Sequence, residues 1–275
     1  MYRFRRTYHG PVRGVILDWA GTTVDHGSRA PVQAFRGVFA SEAVPVTEAE
    51  AREPMGMGKW HHIQAMTQQP RIRAAWTLQH GSAPGDGDID RMFESFLPRQ
   101  IELASAGSPV LRGVAETVKA LRARDIKIGS TTGYPRVVLE PVLKQAARAG
   151  YAPDCAVTAS DVSPGRPAPW MLLEAARRLD VWPMSSLVKV DDATVGIEAG
   201  LNAGCWTVGV TRTGNLVGCS EEEVAAMMPT ERAQRVRAAE RAMYRVGAHY
   251  TIEDLTELPA VIDQIERRLQ QGQQP

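Results

Sequence analysis

The hydrophobic pattern opens with a short apolar run, residues 15–17, that ends abruptly in Asp18. A continuous aliphatic run is typical of a strand that is buried on both faces of a sheet. Because ligands of open α/β sheets bind beyond the carboxyl ends of the strands, we expect Asp18 at a ligand site, where Gly21 lets the backbone approach closely. An aspartate there can be a nucleophile, a metal ligand or, most commonly, the cap of the next helix.

The following residues, 27–105, favour helices and contain no well-formed buried strand. Helices are predicted at 32–41, 48–52, 59–66, 70–80 and 89–104, with prolines at helix starts and in linkers. The stretch has roughly the size of a small domain. We therefore predict a helical cap domain over 27–105, inserted into a core domain that comprises 1–26 and 106–275.

From about residue 106, strands alternate with helices. The predicted strands are 126–130, 155–158, 187–190, 206–210 and one near 249–252; the predicted helices are 114–123, 135–149, 169–179, 195–203, 220–228, 230–246 and 259–271. Such alternation indicates right-handed crossovers between parallel strands. The predicted fold class is therefore α/β, a doubly wound, Rossmann-like parallel sheet with an inserted helical cap.

Composition narrows the classes of function. The chain has 275 residues, 44% of them hydrophobic and 23% charged, which is ordinary for a globular protein. A net charge of +1 gives no reason to expect nucleic acid or an anionic membrane as partner, and no apolar run predicts a membrane span. Three cysteines without a CxxC pair argue against disulfides and structural zinc, so we expect a cytoplasmic location. The basic start, residues 1–13, lacks a signal peptide's apolar stretch and is expected to be a solvated tail.

Reactive residues follow four of the predicted strands. Asp18 ends the first strand, a Ser-Thr-Thr-Gly-Tyr run at 130–134 ends the second, Arg166 lies beyond the third, and Asp191 with Asp192 ends the fourth. Each feature alone is more often a turn, a cap or a surface residue. Together, on one edge of a sheet, they suit phosphoryl transfer to a carboxylate with the help of a magnesium ion.

This order of motifs resembles the haloacid dehalogenase superfamily, with its four loop motifs and inserted cap, over nearly the whole chain. The finer details resemble the phosphonoacetaldehyde hydrolases, or phosphonatases. The segments that carry this resemblance are 18–25 (DWAGTTVD), 54–60 (PMGMGKW), 129–134 (GSTTGY), 165–170 (GRPAPW) and 202–209 (NAGCWTVG). The resemblance implies hydrolysis of the carbon–phosphorus bond of phosphonoacetaldehyde to acetaldehyde and phosphate.

Ala20 and Lys59 are the two residues that fit the chemistry of C–P bond hydrolysis better than that of phosphate-ester hydrolysis. The usual phosphatases of the superfamily carry a second aspartate two residues after the nucleophile, which protonates the leaving oxygen, but this position is Ala20 here. Lys59 lies in a Gly- and Met-rich turn before a predicted helix, and a lysine amine can condense with an aldehyde to form an electron-accepting iminium. By its spacing alone Lys59 would be an exposed lysine, the usual fate of this residue type.

The resemblance implies the remaining roles. Asp18 is the expected nucleophile and Lys59 the Schiff-base lysine; Asp18, Asp192 and the Ala20 carbonyl are the expected magnesium ligands. The expected substrate-binding residues are Met55, His62, Thr132, Tyr134 and Arg166, of which Thr132 and Arg166 would hold phosphonate oxygens. His62 could relay protons, although a histidine that merely packs on its helix face is nearly as common. The expected partners are a small phosphonate substrate and a second copy of the chain, bound through the cap.

Two positions depart from the resemblance, and two rival functions remain open. Some members carry another aspartate where this chain has Gly196, and Asp191 is a candidate replacement; some carry a cysteine where this chain has Ser28. One rival is a phosphatase or phosphomutase that acts on a small phosphorylated metabolite. The other is a non-catalytic protein that has kept the fold and binds a ligand.

Overall fold

The computed structural model of the chain describes residues 7–275, apart from the side chains at positions 105 and 107, and is organised around a parallel β-sheet. The strands are β1 (Gly14–Leu17), β2 (Lys127–Thr132), β3 (Cys155–Thr158), β4 (Leu187–Asp191), β5 (Trp206–Val210) and β6 (Tyr250–Ile252). They lie in the order β3-β2-β1-β4-β5-β6, and every neighbouring pair is parallel. The predicted α/β fold with a doubly wound parallel sheet is confirmed.

Helices occupy the segments between the strands. They are α1 (Arg29–Ser41), α2 (Glu48–Arg52), α3 (Lys59–Gln68), α4 (Pro70–His80), α5 (Asp86–Gly107), α6 (Val114–Arg122), α7 (Arg136–Arg148), α8 (Trp170–Leu179), α9 (Thr194–Asn202), α10 (Glu221–Ala226), α11 (Pro229–Arg245) and α12 (Leu258–Gln270). The predicted helices and strands are all found, with ends that differ by a few residues. None of the helices within residues 7–275 is long and apolar enough to cross a membrane. The predicted solvated tail, residues 1–13, lies outside the described range over residues 1–6. Over residues 7–13 the prediction is wrong in part, because Val12 is buried in the core and Tyr8 packs against the same cluster.

The alternation of side chains along β1 divides the core into two layers. Val15 and Leu17 pack into one hydrophobic cluster with α6, α7 and α12, whereas Ile16 packs into a second cluster with α8 on the other face. Successive side chains of a strand point to opposite faces, so a fully apolar strand needs helices on both sides. The helices that cover β1 are amphipathic for the same reason.

The central position of β1 places the motifs together. Leu17 pairs with Ser130 of β2 on one side and with Val190 of β4 on the other. The backbone N–H of Asp18 then donates to the Val190 carbonyl at 3.0 Å, so the residues that follow all three strands share one edge. The strand order also reverses between β1 and β4, because the chain crosses the sheet from β3 to β4, and open α/β sheets bind ligands at such a switch point.

Helices α1–α5 form a second packed unit beside the sheet. Their buried residues include Phe35, Phe39, Met66, Trp76 and Phe96, which belong to one hydrophobic cluster separate from the two clusters of the sheet. A cluster of this kind is what an inserted cap domain requires. It supports the proposed division into a cap over 27–105 and a core formed by 1–26 and 106–275, whose boundaries stay a prediction.

Neighbouring leucines on α8 test the packing of this helix against the sheet. Leu172 is fully buried, and its replacement by alanine should lower the free energy of unfolding by about 2–5 kcal/mol because it leaves a cavity. Leu173→Ala, on the same helix but 37% exposed, is the matched control and should lower it by less than about 1 kcal/mol. Urea denaturation measures both; equal losses would contradict the described packing.

Candidate active site

A small cavity lies between the carboxyl end of the sheet and the helical unit α1–α5. All predicted site residues except His62 line it, namely Asp18, Ala20, Met55, Lys59, Thr132, Tyr134, Arg166 and Asp192. Asp18, Ala20, Thr132, Tyr134, Arg166 and Asp192 come from the core, whereas Met55 and Lys59 come from the helical unit. The cavity therefore combines acidic and basic groups from two parts of the chain.

The two parts approach each other at glycines. A Cβ atom at Gly133, in the loop after β2, would lie only 2.5 Å from the carbonyl oxygen of Met57 in the turn before α3. Gly56 in the same turn has a φ of 95°, and a Cβ there would lie 2.6 Å from the Cγ2 atom of Val195. Only glycine fits at these positions, and its absence of a side chain lets the turn that carries Lys59 lie against the core.

Lys59 begins α3 and is almost completely buried, with 4% of its surface exposed. Its Nζ atom lies 5.3 Å from the ring centre of Phe35 and 5.4 Å from that of Tyr134. Burial lowers the pKa of Lys59 to about 8, although the charges of Asp18 and Asp192 oppose this effect. The amine is therefore much closer to its neutral, nucleophilic form than an exposed lysine would be.

Thr132 ends β2, and Tyr134 lies in the loop between β2 and α7. The Thr132 hydroxyl oxygen accepts a hydrogen bond from the Tyr134 backbone N–H at 3.0 Å, which fixes the turn after the strand. Both side chains are buried. The end of β2 and the loop that follows it thus bring a hydroxyl group and an aromatic ring to the core side of the cavity.

His62 lies one turn after Lys59, behind the wall of the cavity. Its ring stacks on Phe35 with 3.8 Å between ring centres, and its Nε2 atom lies 2.9 Å from the Ala51 carbonyl oxygen. Burial, and to a lesser degree the charge of Lys59, holds the pKa of His62 well below its ordinary value. The imidazole is therefore neutral, and its proton is on Nε2, because only that tautomer can donate to the carbonyl.

Three buried carboxylates meet where β1 and β4 end. Oxygens of Asp18, Asp191 and Asp192 lie within 4.8 Å of one another. Burial and the two neighbouring charges raise the pKa of Asp192 to about 8, and burial and Asp191 raise that of Asp18 in spite of Arg166 and Lys189. Clustered carboxylate oxygens are the donors that hard divalent cations prefer, and a cation would relieve their repulsion. This acidic triad is therefore able to hold a metal ion.

Donors around Asp192 fix the direction of its carboxylate. It accepts hydrogen bonds from the Thr22 hydroxyl at 3.2 Å, the Ser28 hydroxyl at 3.0 Å and the Asn215 backbone N–H at 2.7 Å. Gly21 has a φ of 79°, and a Cβ there would lie 2.2 Å from an Asp192 oxygen. From the sequence, Ser28 was assigned no role, and Asn215, which lies 23 residues after Asp192 in the chain, was missed.

Arg166 lies between two of the carboxylates. Its Nη2 atom lies 2.7 Å from Asp18 Oδ1 and also donates to the Thr131 carbonyl oxygen at 2.8 Å, while its Nη1 atom lies 3.3 Å from Asp191 Oδ2. Asp191 has a second partner, because the Nζ atom of Lys189 lies 2.9 Å from the same oxygen. Burial alone would raise the pKa of Asp191, but Arg166 and Lys189 lower it below its ordinary value.

Lys189 was missed from the sequence, although a signal for it exists. It interrupts the otherwise apolar part of β4 and is fully buried there. Lysine is almost never fully buried unless it is paired. A lysine inside a predicted buried strand, two residues before an aspartate at the strand end, therefore indicates a buried ion pair.

Gly196 makes room for Asp191. A Cβ at position 196 would lie 2.0 Å from Asp191 Oδ2 and 2.1 Å from its Cγ atom, so no side chain fits there while Asp191 has its present position. The missing aspartate at 196 and the aspartate present at 191 thus compete for the same space. This relation supports the interpretation of Asp191 as the replacement.

Comparisons with known proteins extend over nearly the whole chain. Residues 12–204 match the family model of the haloacid dehalogenase-like hydrolases. The phosphonoacetaldehyde hydrolase of Paraburkholderia xenovorans is 46% identical over 96% of this chain and 99% of its own, and that of Hahella chejuensis is 44% identical over 100% and 93%. The crystal structure of a phosphonoacetaldehyde hydrolase-like protein from Oleispira antarctica superposes with a TM-score of 0.98 at 42% identity and covers 100% of both chains.

The space beside Asp191 can be tested with two helical glycines. Gly196→Ala should lower the free energy of unfolding by about 2 kcal/mol or more, because its Cβ must push Asp191 away from its buried cations. Gly87→Ala is the control, since a Cβ on this α5 residue meets nothing within 4 Å and alanine favours helix. Chemical denaturation would contradict the described contact if both variants were as stable as the parent protein.

Proposed function

This chain belongs to the haloacid dehalogenase-like hydrolases and, within them, to the phosphonoacetaldehyde hydrolases, and we propose that it hydrolyses the C–P bond of phosphonoacetaldehyde to acetaldehyde and phosphate. The observation that supports this most is the pairing of two groups in one cavity. A buried lysine amine, Lys59, faces the cavity from the helical unit, and a strand-end carboxylate, Asp18, faces it from the core. The proposed cleavage needs a nucleophile that attacks phosphorus and an amine that makes the carbon side accept the electrons of the broken bond.

Lys59 acts on the carbon side. Its neutral amine attacks the aldehyde carbon, and the carbinolamine that forms takes up one proton from solvent and loses water, which leaves a protonated imine, an iminium. The lowered pKa favours this step, because only the neutral amine has a free electron pair. The rings of Phe35 and Tyr134 beside Nζ are suited to a cation that has formed away from water.

Asp18 acts on the phosphorus side. Its carboxylate oxygen attacks phosphorus, the C–P bond breaks, and the electron pair of that bond moves into the iminium to give a neutral enamine and an aspartyl phosphate. The enamine then takes up a proton on carbon, and water releases acetaldehyde and restores Lys59. A second water hydrolyses the aspartyl phosphate to free phosphate and restores Asp18.

Cations of the site oppose the negative charge that gathers around Asp18. Arg166, which already contacts Asp18, and the hydroxyl of Thr132 would bind phosphonate oxygens. Asp18, Asp192 and the Ala20 carbonyl would hold a magnesium ion, which when bound offsets the repulsion between the carboxylate and the phosphonate. That repulsion is about 4 kcal/mol per charge pair at about 4 Å and an effective dielectric constant near 20.

Ala20 separates the proposal from the rival phosphatase and phosphomutase activities. When a phosphate ester is cleaved, its alcohol departs as an alkoxide that needs a proton, and Ala20 cannot supply one. A leaving group that departs into an iminium needs no acid at this position. The non-catalytic rival predicts binding of phosphonoacetaldehyde without turnover.

Assembly and location stay predictions. The proposed homodimer would form through the cap, where Leu78 of α4 has 90% of its surface exposed. The proposed location is the cytoplasm.

Replacement of Lys59 by arginine tests the covalent step. Arginine keeps the positive charge but cannot form the imine at neutral pH, so turnover of phosphonoacetaldehyde should fall at least about a thousandfold. Borohydride reduction with the aldehyde, followed by peptide mass mapping, should give an adduct on Lys59 in the parent protein and none in Lys59→Arg. Lys119→Arg, an exposed position on α6, is the control and should keep both activity and adduct. Activity retained in Lys59→Arg, or an adduct on another lysine, would contradict the proposed Schiff-base mechanism.

The pH dependence of imine formation follows from the pKa of Lys59. Because that pKa is lowered to about 8, the neutral fraction, and with it the rate of reductive trapping, should rise about tenfold per pH unit below pH 8 and level off above it. A lysine with its ordinary pKa would continue to gain rate up to about pH 10. Trapping by cyanoborohydride at fixed aldehyde and magnesium concentrations measures the profile, and a rise that continued to pH 10 would exclude the lowered pKa.

A further inference from the structure

We infer that Lys189 is a positioning residue: together with Asp191 it sets the guanidinium of Arg166 for binding the phosphoryl group, although it does not face the cavity. The identity of that group as a phosphonate rests on the proposed function. The contacts that support the inference are independent of it, and the test uses inorganic phosphate and magnesium rather than turnover.

Lys189 contacts two of the groups that hold Arg166 in place. Its Nζ atom lies 2.9 Å from Asp191 Oδ2 and donates to the Thr131 hydroxyl oxygen at 3.0 Å. Arg166 donates from Nη2 to the same hydroxyl oxygen at 2.9 Å, and its Nη1 atom lies 3.3 Å from the same carboxylate oxygen. The two cations thus share two acceptors, so the place of one depends on the presence of the other.

Two glycines of α9 leave the space that this pair occupies. A Cβ at Gly200 would lie 3.0 Å from Lys189 Cβ and 3.1 Å from its Cγ, and a Cβ at Gly196, one turn earlier, would collide with the Asp191 carboxylate. Lys189 and Asp191 are two residues apart on β4 and so point to the same face of the sheet, toward this helix. Both side chains have no exposed surface. The helix therefore packs directly on the ion pair and keeps water away from it.

The charge of Lys189 determines whether the Arg166 guanidinium lies between Asp18 and Asp191 or closer to Asp191. With Lys189 present, Asp191 is shared between two cations, and Arg166 can also contact Asp18 and the cavity. Without it, Asp191 would keep Arg166 as its remaining cationic partner among these groups and draw the guanidinium away from the cavity. A buried carboxylate that loses one cationic partner is attracted more strongly to the other, because its charge is otherwise uncompensated.

Binding measurements on Lys189→Met distinguish positioning from general support of the fold. The variant removes the charge but keeps a long apolar side chain. Affinity for inorganic phosphate, titrated by calorimetry with magnesium present, should fall about tenfold, because Arg166 is misplaced and one positive charge is lost. Affinity for magnesium alone should rise severalfold, because the cluster of carboxylates becomes more negative. A purely structural role would lower both affinities, and that result would overturn the inference.

Two further variants keep the test decisive if Lys189→Met does not fold. Lys189→Arg preserves the charge and should bind phosphate within about threefold of the parent protein. Asp191→Gly should lose about tenfold in phosphate affinity, and adding Gly196→Asp should restore most of it, because a side chain from position 196 enters the space of the lost carboxylate. A double variant as weak as Asp191→Gly would show that a carboxylate beside Lys189 is not what holds Arg166.

Failure of this inference and failure of the proposed function would look different. Lys59→Arg should lose turnover and the borohydride adduct but keep its affinity for phosphate, since Lys59 belongs to the aldehyde side of the site. If the chain proved not to cleave phosphonoacetaldehyde, the opposite changes in phosphate and magnesium affinity in Lys189→Met would still test the role of Lys189.

Discussion

Burial of several charges in one place is the constraint on which this structure depends. Asp18, Asp191, Asp192, Arg166 and Lys189 lie together at the carboxyl edge of the sheet, nearly out of reach of water. Charges in such surroundings are tolerated only when each has a partner, so their positions determine one another. β1 and β4 are neighbouring strands and end side by side, and the Thr131 hydroxyl oxygen accepts hydrogen bonds from both Arg166 and Lys189. The glycines of α9 leave the space that the Lys189–Asp191 ion pair occupies.

The helical unit α1–α5 has a different requirement, because it must place the Lys59 amine in the cavity with a pKa low enough for the neutral form. Lys59 is buried between aromatic rings, and its pKa falls because water is excluded. The acidic edge of the core moderates this effect, since Asp18 and Asp192 favour the protonated amine. Neither part of the chain contains both reactive groups, so the chemistry proposed here exists only where the two parts meet.

Much of the fold could be predicted because its signals are local. β1 is a continuous apolar run, β3 and β5 are short and mostly apolar, and the helices carry regular apolar stripes, so their positions follow from the hydrophobic pattern. The burial of Lys59 was not predictable from spacing, since it depends on Gly133 and Gly56 meeting across the two units. His62 was placed near the substrate by resemblance, but its stacking on Phe35 comes from the packing of α1 against α3. Lys189 had a local signal, a lysine inside an apolar strand two residues before Asp191, and could have been found from it. Asn215 acts on Asp192 from a loop that lies beyond β5, and no local pattern carries such information.

The exclusion of water around Lys59 has a chemical consequence for the resting protein. Whenever the turn that carries this residue is separated from the loop at Gly133, water reaches the amine, its pKa returns to the ordinary value for lysine, and it is protonated at neutral pH. An ammonium group does not condense with aldehydes. The same contact that makes the amine reactive thus protects it from adventitious carbonyl compounds, because reactivity arises only in the assembled cavity, beside the carboxylate that completes the reaction.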